Sequence, residues 1–158
     1  MSFAKPSLKG RALRLLTVRE HSRAELERKL KSFEEEPGTL ARALDELQAK
    51  GFIDEQRVIE SVVHRRAAKL GTVRIKQELQ DKGLDPQAVS AALASLQVTE
   101  RERAAEVWRK KFGNAPVDAA ERVKQMRFLA ARGFGGDAIR KVVSGSHDGS
   151  DEGFSEEF

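Results

Sequence analysis

The sequence predicts an all-α protein built from helical repeats, on the basis of three observations. Residues that lose little side-chain freedom in a helix dominate the 158 positions, and there are only four prolines and no tyrosine. Apolar residues recur three or four positions apart, as at Leu40, Leu44 and Leu47, so each segment has one apolar stripe. A glycine-ended pattern also recurs along the chain. Because a single-striped helix is marginal alone in water, these segments must pack together as small bundles.

Capping side chains mark the starts of six of the nine predicted helical segments: Ser22, Asp54, Thr72, Asp85, Thr99 and Asp118. A short polar side chain at this position accepts a hydrogen bond from an otherwise unpaired backbone N–H group. Ser22, Thr99 and Asp118 each lie three residues before a glutamate, which is the capping-box spacing. Asp85 precedes Pro86, and proline is favoured at the first helical position. We therefore expect a helix to begin at each of these six positions.

The ends of three helices share the pattern Leu-x-x-(Lys/Arg)-Gly-apolar, at residues 47–52, 79–84 and 129–134. Glycine adopts the left-handed conformation at a helix end without a Cβ clash, and the next apolar residue can fold back on the last turn. Together with the helix starts, this recurrence predicts three tandem three-helix repeats in an elongated, curved array. The predicted repeats are residues 1–53, 54–98 and 99–143.

The last segment of the chain, residues 144–158, has a different composition. It contains five acidic residues and no lysine or arginine, and it lacks apolar periodicity, so we predict a disordered acidic tail. Phe154 and Phe158 lie within this acidic segment. They are a candidate docking motif, or the tail could fold over the basic body of the protein.

Charge is therefore uneven along the chain. The net charge is +4, and the five acidic residues of 144–158 leave +9 on residues 1–143. A body of that charge attracts polyanions at long range, with nucleic acid as one candidate. The alternative is that each basic cluster is only a solvated helix face. We predict a positive surface that contacts a partner protein or DNA, formed by Arg65, Arg66, Lys69, Arg74, Lys76, Arg109, Lys110, Lys111, Arg122, Lys124, Arg127, Arg132, Arg140 and Lys141.

Two aromatic residues receive different predictions. Trp108 lies on the same helical stripe as Ala105 and Phe112, which indicates core packing more than base stacking. Phe128 falls away from the apolar stripe of its own helix. We expect Phe128 either to pack between repeats or to meet the partner.

Nothing in the sequence indicates catalysis or a metal site. The absence of cysteine excludes disulfides and thiolate zinc sites, and it fits a reducing cytoplasm. His21, His64 and His147 lack the spacing of metal ligands, and the glycines at 133–136 lack the lysine of a phosphate loop. No apolar stretch is long enough for a membrane span. We expect a cytoplasmic, non-catalytic monomer without a cofactor, a metal or a small-molecule substrate.

Three blocks of the sequence, taken in order, resemble the RecX family of recombination regulators. They are residues 11–16 and 19–30, residues 51–57 and 74–84, and residues 128–134 with Ile139. The middle block includes Gly-Phe-Ile-Asp-Glu-Gln-Arg from Gly51 and Lys-Gly-Leu from Lys82. The resemblance implies a protein that binds the RecA recombinase filament on single-stranded DNA. It also implies restraint of filament growth, ATP hydrolysis and strand exchange, and a role in recombination, DNA repair and the SOS response.

The main alternative is a stand-alone DNA-binding module of helix-turn-helix type, such as a transcriptional regulator. A glycine-ended turn between short helices occurs in such modules, although it also joins helices that only pack on each other. These modules usually dimerise on paired half-sites, and the sequence shows no separate dimerisation helix. An enzyme is the least supported class.

Overall fold

The computed structural model describes residues 4–145, and this part of the chain is all-helical. It contains eight α-helices, one 3-10 turn at Lys31–Phe33, and no strand. The predicted disordered tail lies almost entirely outside the described residues. The helices are α1 (Leu8–Val18), α2 (Arg23–Leu30), α3 (Thr39–Ala49), α4 (Glu55–Arg66), α5 (Thr72–Asp81), α6 (Pro86–Lys111), α7 (Ala119–Ala131) and α8 (Gly136–Val143).

Four of the predicted helix starts are confirmed by capping hydrogen bonds. The Ser22 hydroxyl accepts from the Glu25 backbone N–H at 3.2 Å, and the Ser22 N–H donates to the Glu25 carboxylate at 3.2 Å, which completes the capping box. The Asp118 carboxylate accepts from the N–H of Glu121 at 2.8 Å. Asp54 and Asp85 cap α4 and α6 through the same kind of bond, at 3.0 and 3.3 Å.

The prediction of a helix start at Thr99 is wrong, because α6 runs without a break through this position. Residues 87–111 contain neither glycine nor proline, so nothing in the backbone chemistry ends the helix before Lys111. The Thr99 hydroxyl instead donates to the Leu96 carbonyl at 3.3 Å, inside the helix. Thr72 is also not a cap. It is the first residue of α5, and its N–H donates to the Glu100 carboxylate at 3.0 Å.

The three predicted glycine turns are confirmed by positive φ angles of 81° at Gly51, 66° at Gly83 and 88° at Gly133. The apolar residue that follows behaves differently from turn to turn. Phe134 donates its N–H to the Leu129 carbonyl at 3.2 Å and is 4% exposed. Phe52 makes the equivalent backbone bond, to Leu47 at 2.9 Å, yet it is 47% exposed. The backbone turn therefore forms whether or not its aromatic residue is buried.

The chain forms two compact units, and unit 1 comprises residues 1–65 and 76–93. Its first three helices share an apolar core, with these buried members: Ala12, Leu26, Leu30, Leu40, Leu44, Leu47 and Ile53. Charged groups join its two chain segments. The Lys82 ammonium lies 3.0 Å from the Glu25 carboxylate, and both side chains are about nine-tenths buried. The Ser22 hydroxyl donates to the Lys82 carbonyl at 2.6 Å.

Among the described residues, unit 2 comprises residues 66–75 and 94–145. Its core is built from α6, α7 and α8, with these buried members: Ala104, Ala105, Trp108, Leu129, Phe134, Ala138, Ile139, Val142 and Val143. The core position predicted for Trp108 is confirmed. Its indole N–H donates to the side-chain oxygen of the buried Gln125 at 2.8 Å. This bond satisfies a polar atom that burial would otherwise leave unpaired.

Backbone contacts join the two chain segments of unit 2. The Gly71 N–H donates to the Arg132 carbonyl at 2.8 Å, and the Val73 N–H donates to the Gly133 carbonyl at 3.1 Å. A Cβ added to Gly71 would lie 2.3 Å from backbone atoms of Gly133, so only glycine permits this approach. The buried Glu100 carboxylate also accepts from the N–H groups of Thr72 and Gly135, at 3.0 and 3.4 Å. Side chains and backbone thus hold residues 66–75 at one position on the unit.

Candidate partner-binding surface

All 14 basic residues predicted to form the partner-binding surface have exposed side chains. Four of them, which the sequence places in three separate segments, surround one shallow cavity of about 390 Å³ in unit 2: Lys69, Lys110, Lys111 and Arg132. Its apolar wall is formed by Phe128, Val107 and Ala68. We call these seven residues the cationic pocket. The structure therefore brings four of the 14 predicted residues together in one pocket.

The half-buried ring of Phe128 contacts two of the pocket's cations. The Arg132 guanidinium carbon is 4.8 Å from the ring centroid, and the Lys111 ammonium is 5.5 Å from it. Phe112 makes an edge contact with the same ring, with centroids 5.4 Å apart. Phe128 thus packs on the core of unit 2 and contacts two cations, and the predicted contact with a partner stays a prediction.

Local helix geometry explains why these cations can lie close together. Lys110 and Lys111 occupy the last turn of α6, and Arg132 is the residue that caps the end of α7. The partial negative charge at a helix C-terminus stabilises cations there. The backbone bond from Gly71 to Arg132 fixes the segment that carries Lys69 beside the end of α7.

The electrostatics of the pocket favour an anionic partner. Within residues 4–145, no carboxylate lies within ion-pair distance of Lys69, Lys111 or Arg132. Lys110 lies 4.0 Å from Glu106, at the limit of an ion pair. Several uncompensated cations beside an apolar wall create a strong local positive potential. Such a pocket can bind phosphate or carboxylate groups that are next to an apolar group.

The other predicted surface residues are exposed but lie outside the pocket. Arg109 pairs with Glu106, and Arg140 pairs with Asp137, each within its own helix. Their charge is partly offset by these local partners. The remaining residues are Arg65, Arg66, Arg74, Lys76, Arg122, Lys124, Arg127 and Lys141. A role for these residues in partner binding stays a prediction.

The titratable cluster of unit 1 is structural in character. Burial alone would raise the pKa of Glu25, but hydrogen bonds from Arg19, Lys82 and the Ser22 N–H outweigh burial and lower it from 4.5 to about 2. Burial lowers the pKa of His21, whose Nδ1 lies 3.0 Å from the Arg19 carbonyl. His21 and Glu25 of this cluster are buried, and Arg19 is partly exposed.

Two further observations concern chemistry that the sequence analysis addressed. Among residues 4–145, no group of three or more histidine, aspartate or glutamate side chains is arranged to hold a metal ion. In the same residues, no helix is both long and apolar enough to cross a membrane.

Three family models match the chain in order. The first three-helix domain of RecX matches residues 9–47, the second matches residues 54–93, and the third matches residues 99–143. The chain belongs to the RecX family. The matches to the second and third RecX domains divide within the continuous helix α6, and the third includes all of α7 and α8.

Relatives and solved structures agree with this membership. The chain is 52% identical over 137 residues to the regulatory protein RecX of Leptothrix cholodnii, with 87% of each chain covered. It is 44% identical over 147 residues to that of Ralstonia nicotianae, covering 93% and 92% of the two chains. A crystal structure of RecX from Lactobacillus salivarius has the same fold, with a TM-score of 0.71, 23% identity and coverage of 87% and 93%.

Some residues that hold the Lys69 segment in place were not identified from the sequence. Glu100 is buried and Arg103 is partly buried, and Arg103 donates to the carbonyls of Ala67 and Leu70 at 2.9 and 2.7 Å. The sequence suggested only a helix start near Glu100. The absence of glycine and proline from residues 87–111 was the available signal that this region is helix interior.

Proposed function

We propose that this RecX-family protein binds the RecA filament on single-stranded DNA and restrains its growth, ATP hydrolysis and strand exchange. The partner and the inhibitory effect come from the family resemblance, because the chain contains all three RecX domains in order. Through RecA, such a protein modulates recombination and DNA repair. It needs no cofactor of its own, since any effect on ATP hydrolysis is exerted through the filament.

The cationic pocket is the single observation that best supports a specific contact surface for this role. A filament on DNA is a polyanionic target, and uncompensated cations steer such partners and stabilise the complex. The pocket offers Lys69, Lys111 and Arg132 without carboxylate partners among residues 4–145. We propose that these residues make the central contacts. The other exposed basic residues of unit 2 in the predicted surface would then extend this contact.

The test is RecA ATP hydrolysis on circular single-stranded DNA, measured with substoichiometric amounts of this protein. We expect inhibition well below one molecule per RecA monomer, because a regulator of filament growth acts at few sites. Unchanged hydrolysis, together with no binding to the preformed filament, would remove the proposal. Sequence-selective binding to duplex DNA in the absence of RecA would favour the helix-turn-helix alternative.

A further inference from the structure

The cationic pocket has an apolar wall, which the proposed function does not explain. Its apolar wall would be unnecessary for a site that bound only phosphates, because phosphates need donors and charge alone. Phe128 and Val107 are each partly exposed at this wall. A matching ligand therefore combines carboxylates or phosphates with an adjacent apolar side chain.

The chain itself contains a segment with this chemistry. Residues 146–158 follow unit 2 directly, and they include Asp-Glu-Gly-Phe-Ser-Glu-Glu-Phe from Asp151. Phe154 and Phe158 each lie within two residues of a carboxylate. The segment carries five acidic residues and no lysine or arginine, opposite in sign to the four cations of the pocket.

The segment is also long enough to reach the pocket. Phe154 is nine positions after Gly145, and an extended segment of that length spans up to about 30 Å. The described part of unit 2, residues 66–75 and 94–145, corresponds to a radius of gyration of about 11 Å. Phe158, 13 positions after Gly145, reaches up to about 43 Å, which matches the longest path over the surface of a sphere of that size.

We propose that residues 146–158 dock in the cationic pocket of the same molecule and compete there with an anionic partner. Phe154 or Phe158 contacts the apolar wall beside Phe128, and the neighbouring carboxylates pair with Lys111 and Arg132. The protein then carries its own competitive ligand, and a partner must displace it. This inference rests on the geometry of the pocket and does not depend on the identity of the partner.

Nuclear magnetic resonance of the full-length protein provides the test. Backbone amide shifts of the wild type are compared with those of the double variant Phe154→Ser/Phe158→Ser, which leaves every charge in place. Docking predicts shift changes at residues 107–111 and 128–132 as well as around the substitutions. Changes confined to residues 146–158 would overturn the proposal.

Charge variants show whether the pocket is the docking site. In Lys111→Glu/Arg132→Glu, the phenylalanine substitutions should no longer shift the pocket amides. The matched pair Arg42→Glu/Lys50→Glu reverses two exposed charges of unit 1 that lie outside the predicted surface, and in this variant the phenylalanine substitutions should still shift the pocket amides. Loss of the response in both pairs would indicate general charge attraction and would contradict a specific site.

Two further measurements distinguish docking within one molecule from binding by a second copy, and test whether the segment competes with a nucleic acid. Docking within one molecule gives shift changes that are independent of protein concentration, whereas changes that grow with concentration would assign the segment to a second copy. An oligodeoxythymidine should bind the Phe154→Ser/Phe158→Ser variant about threefold more tightly than the wild type, if docking leaves the pocket open in about a third of molecules. Equal affinities would show that the segment does not compete for this site.

Discussion

The two units of this protein place the basic residue of their glycine-ended pattern differently. In unit 1, charged side chains point inward and join chain segments that are far apart in sequence, as Glu25 does with Lys82. In unit 2, backbone contacts between Gly71 and the residues at 132–133 join the segments together with the buried Glu100 carboxylate. Cations of unit 2 such as Lys111 and Arg132 remain on the surface.

This difference shows why a count of basic residues cannot locate a binding surface. Lys82 and Arg132 occupy the same position of the repeated glycine-turn pattern, yet Lys82 is 8% exposed and Arg132 is exposed. One cation stabilises the fold, and the other is available to a partner. The distinction depends on whether a carboxylate from another segment faces the turn, as Glu25 faces Lys82.

The largest expected effect is on the backbone junction of unit 2. Gly71→Ala should lower the free energy of unfolding by about 4 kcal/mol, because its Cβ would overlap backbone atoms of Gly133 that cannot move aside. Gly51→Ala is the control, since its Cβ meets nothing within 4 Å and only the positive φ of 81° opposes it. That control should cost about 1 kcal/mol. Equal losses in urea denaturation would contradict the close approach.

The next largest effect concerns the buried ion pair of unit 1. Glu25→Gln should destabilise the protein by about 3 kcal/mol, because it leaves the buried Lys82 ammonium without its counter-charge. Glu27→Gln, on the exposed side of the same helix, removes an ion pair with Arg23 and should cost about 0.5 kcal/mol or less. Urea denaturation near neutral pH measures both. Similar values for the two variants would mean that the burial of Glu25 has no energetic consequence.

The pH dependence of stability should reveal the lowered pKa of Glu25. The folded-state pKa of Glu25 is about 2, below its ordinary 4.5, so the unfolded chain binds this proton more tightly. The stabilisation is fully present above the unfolded-state value and is lost as pH falls toward 2. The pKa of His21 is also lowered, so protonating it also favours unfolding. We expect the stability difference between wild type and Glu25→Gln to shrink between pH 5 and 2. A constant difference would contradict this assignment.

The smallest expected effect on stability is at the cationic pocket. Lys111→Glu/Arg132→Glu should change the free energy of unfolding by less than about 1 kcal/mol, because both side chains are exposed and, among residues 4–145, each contacts the Phe128 ring through a cation–π interaction. Thermal and urea denaturation provide the measurement. A destabilisation comparable to that of Glu25→Gln would mean that these cations serve the fold, as Lys82 does.

Local signals in the sequence predicted much of the fold. Ser22, Asp118 and the glycine turns act through bonds to their own neighbours, so their roles can be read from a few adjacent residues. Thr99 carried the same capping signal and was misleading, because the helix-forming residues on both sides of it favour a continuous helix. The helix propensity of residues 87–111 therefore outweighed the capping signal at Thr99.

The candidate site was predictable only in part. The sequence identified the exposed basic residues, and the position of Phe128 off its stripe marked it as unusual. It could not show that Lys69 lies beside Lys111 and Arg132, because that grouping depends on the contact between Gly71 and the end of α7. The buried role of Lys82 depends equally on a contact from a distant segment.

The central claim is that the cationic pocket is the contact surface for the filament. The most direct test measures binding of the labelled protein to RecA filaments on single-stranded DNA over a range of salt concentrations. Lys111→Glu/Arg132→Glu should weaken binding about tenfold and flatten the slope of log K against log salt, by about one for each anionic group that the variant no longer neutralises. Arg42→Glu/Lys50→Glu, an equal charge change at exposed positions of unit 1, should stay within about twofold of the wild type. Equal weakening by both pairs, or an unchanged slope in the first, would contradict the claim.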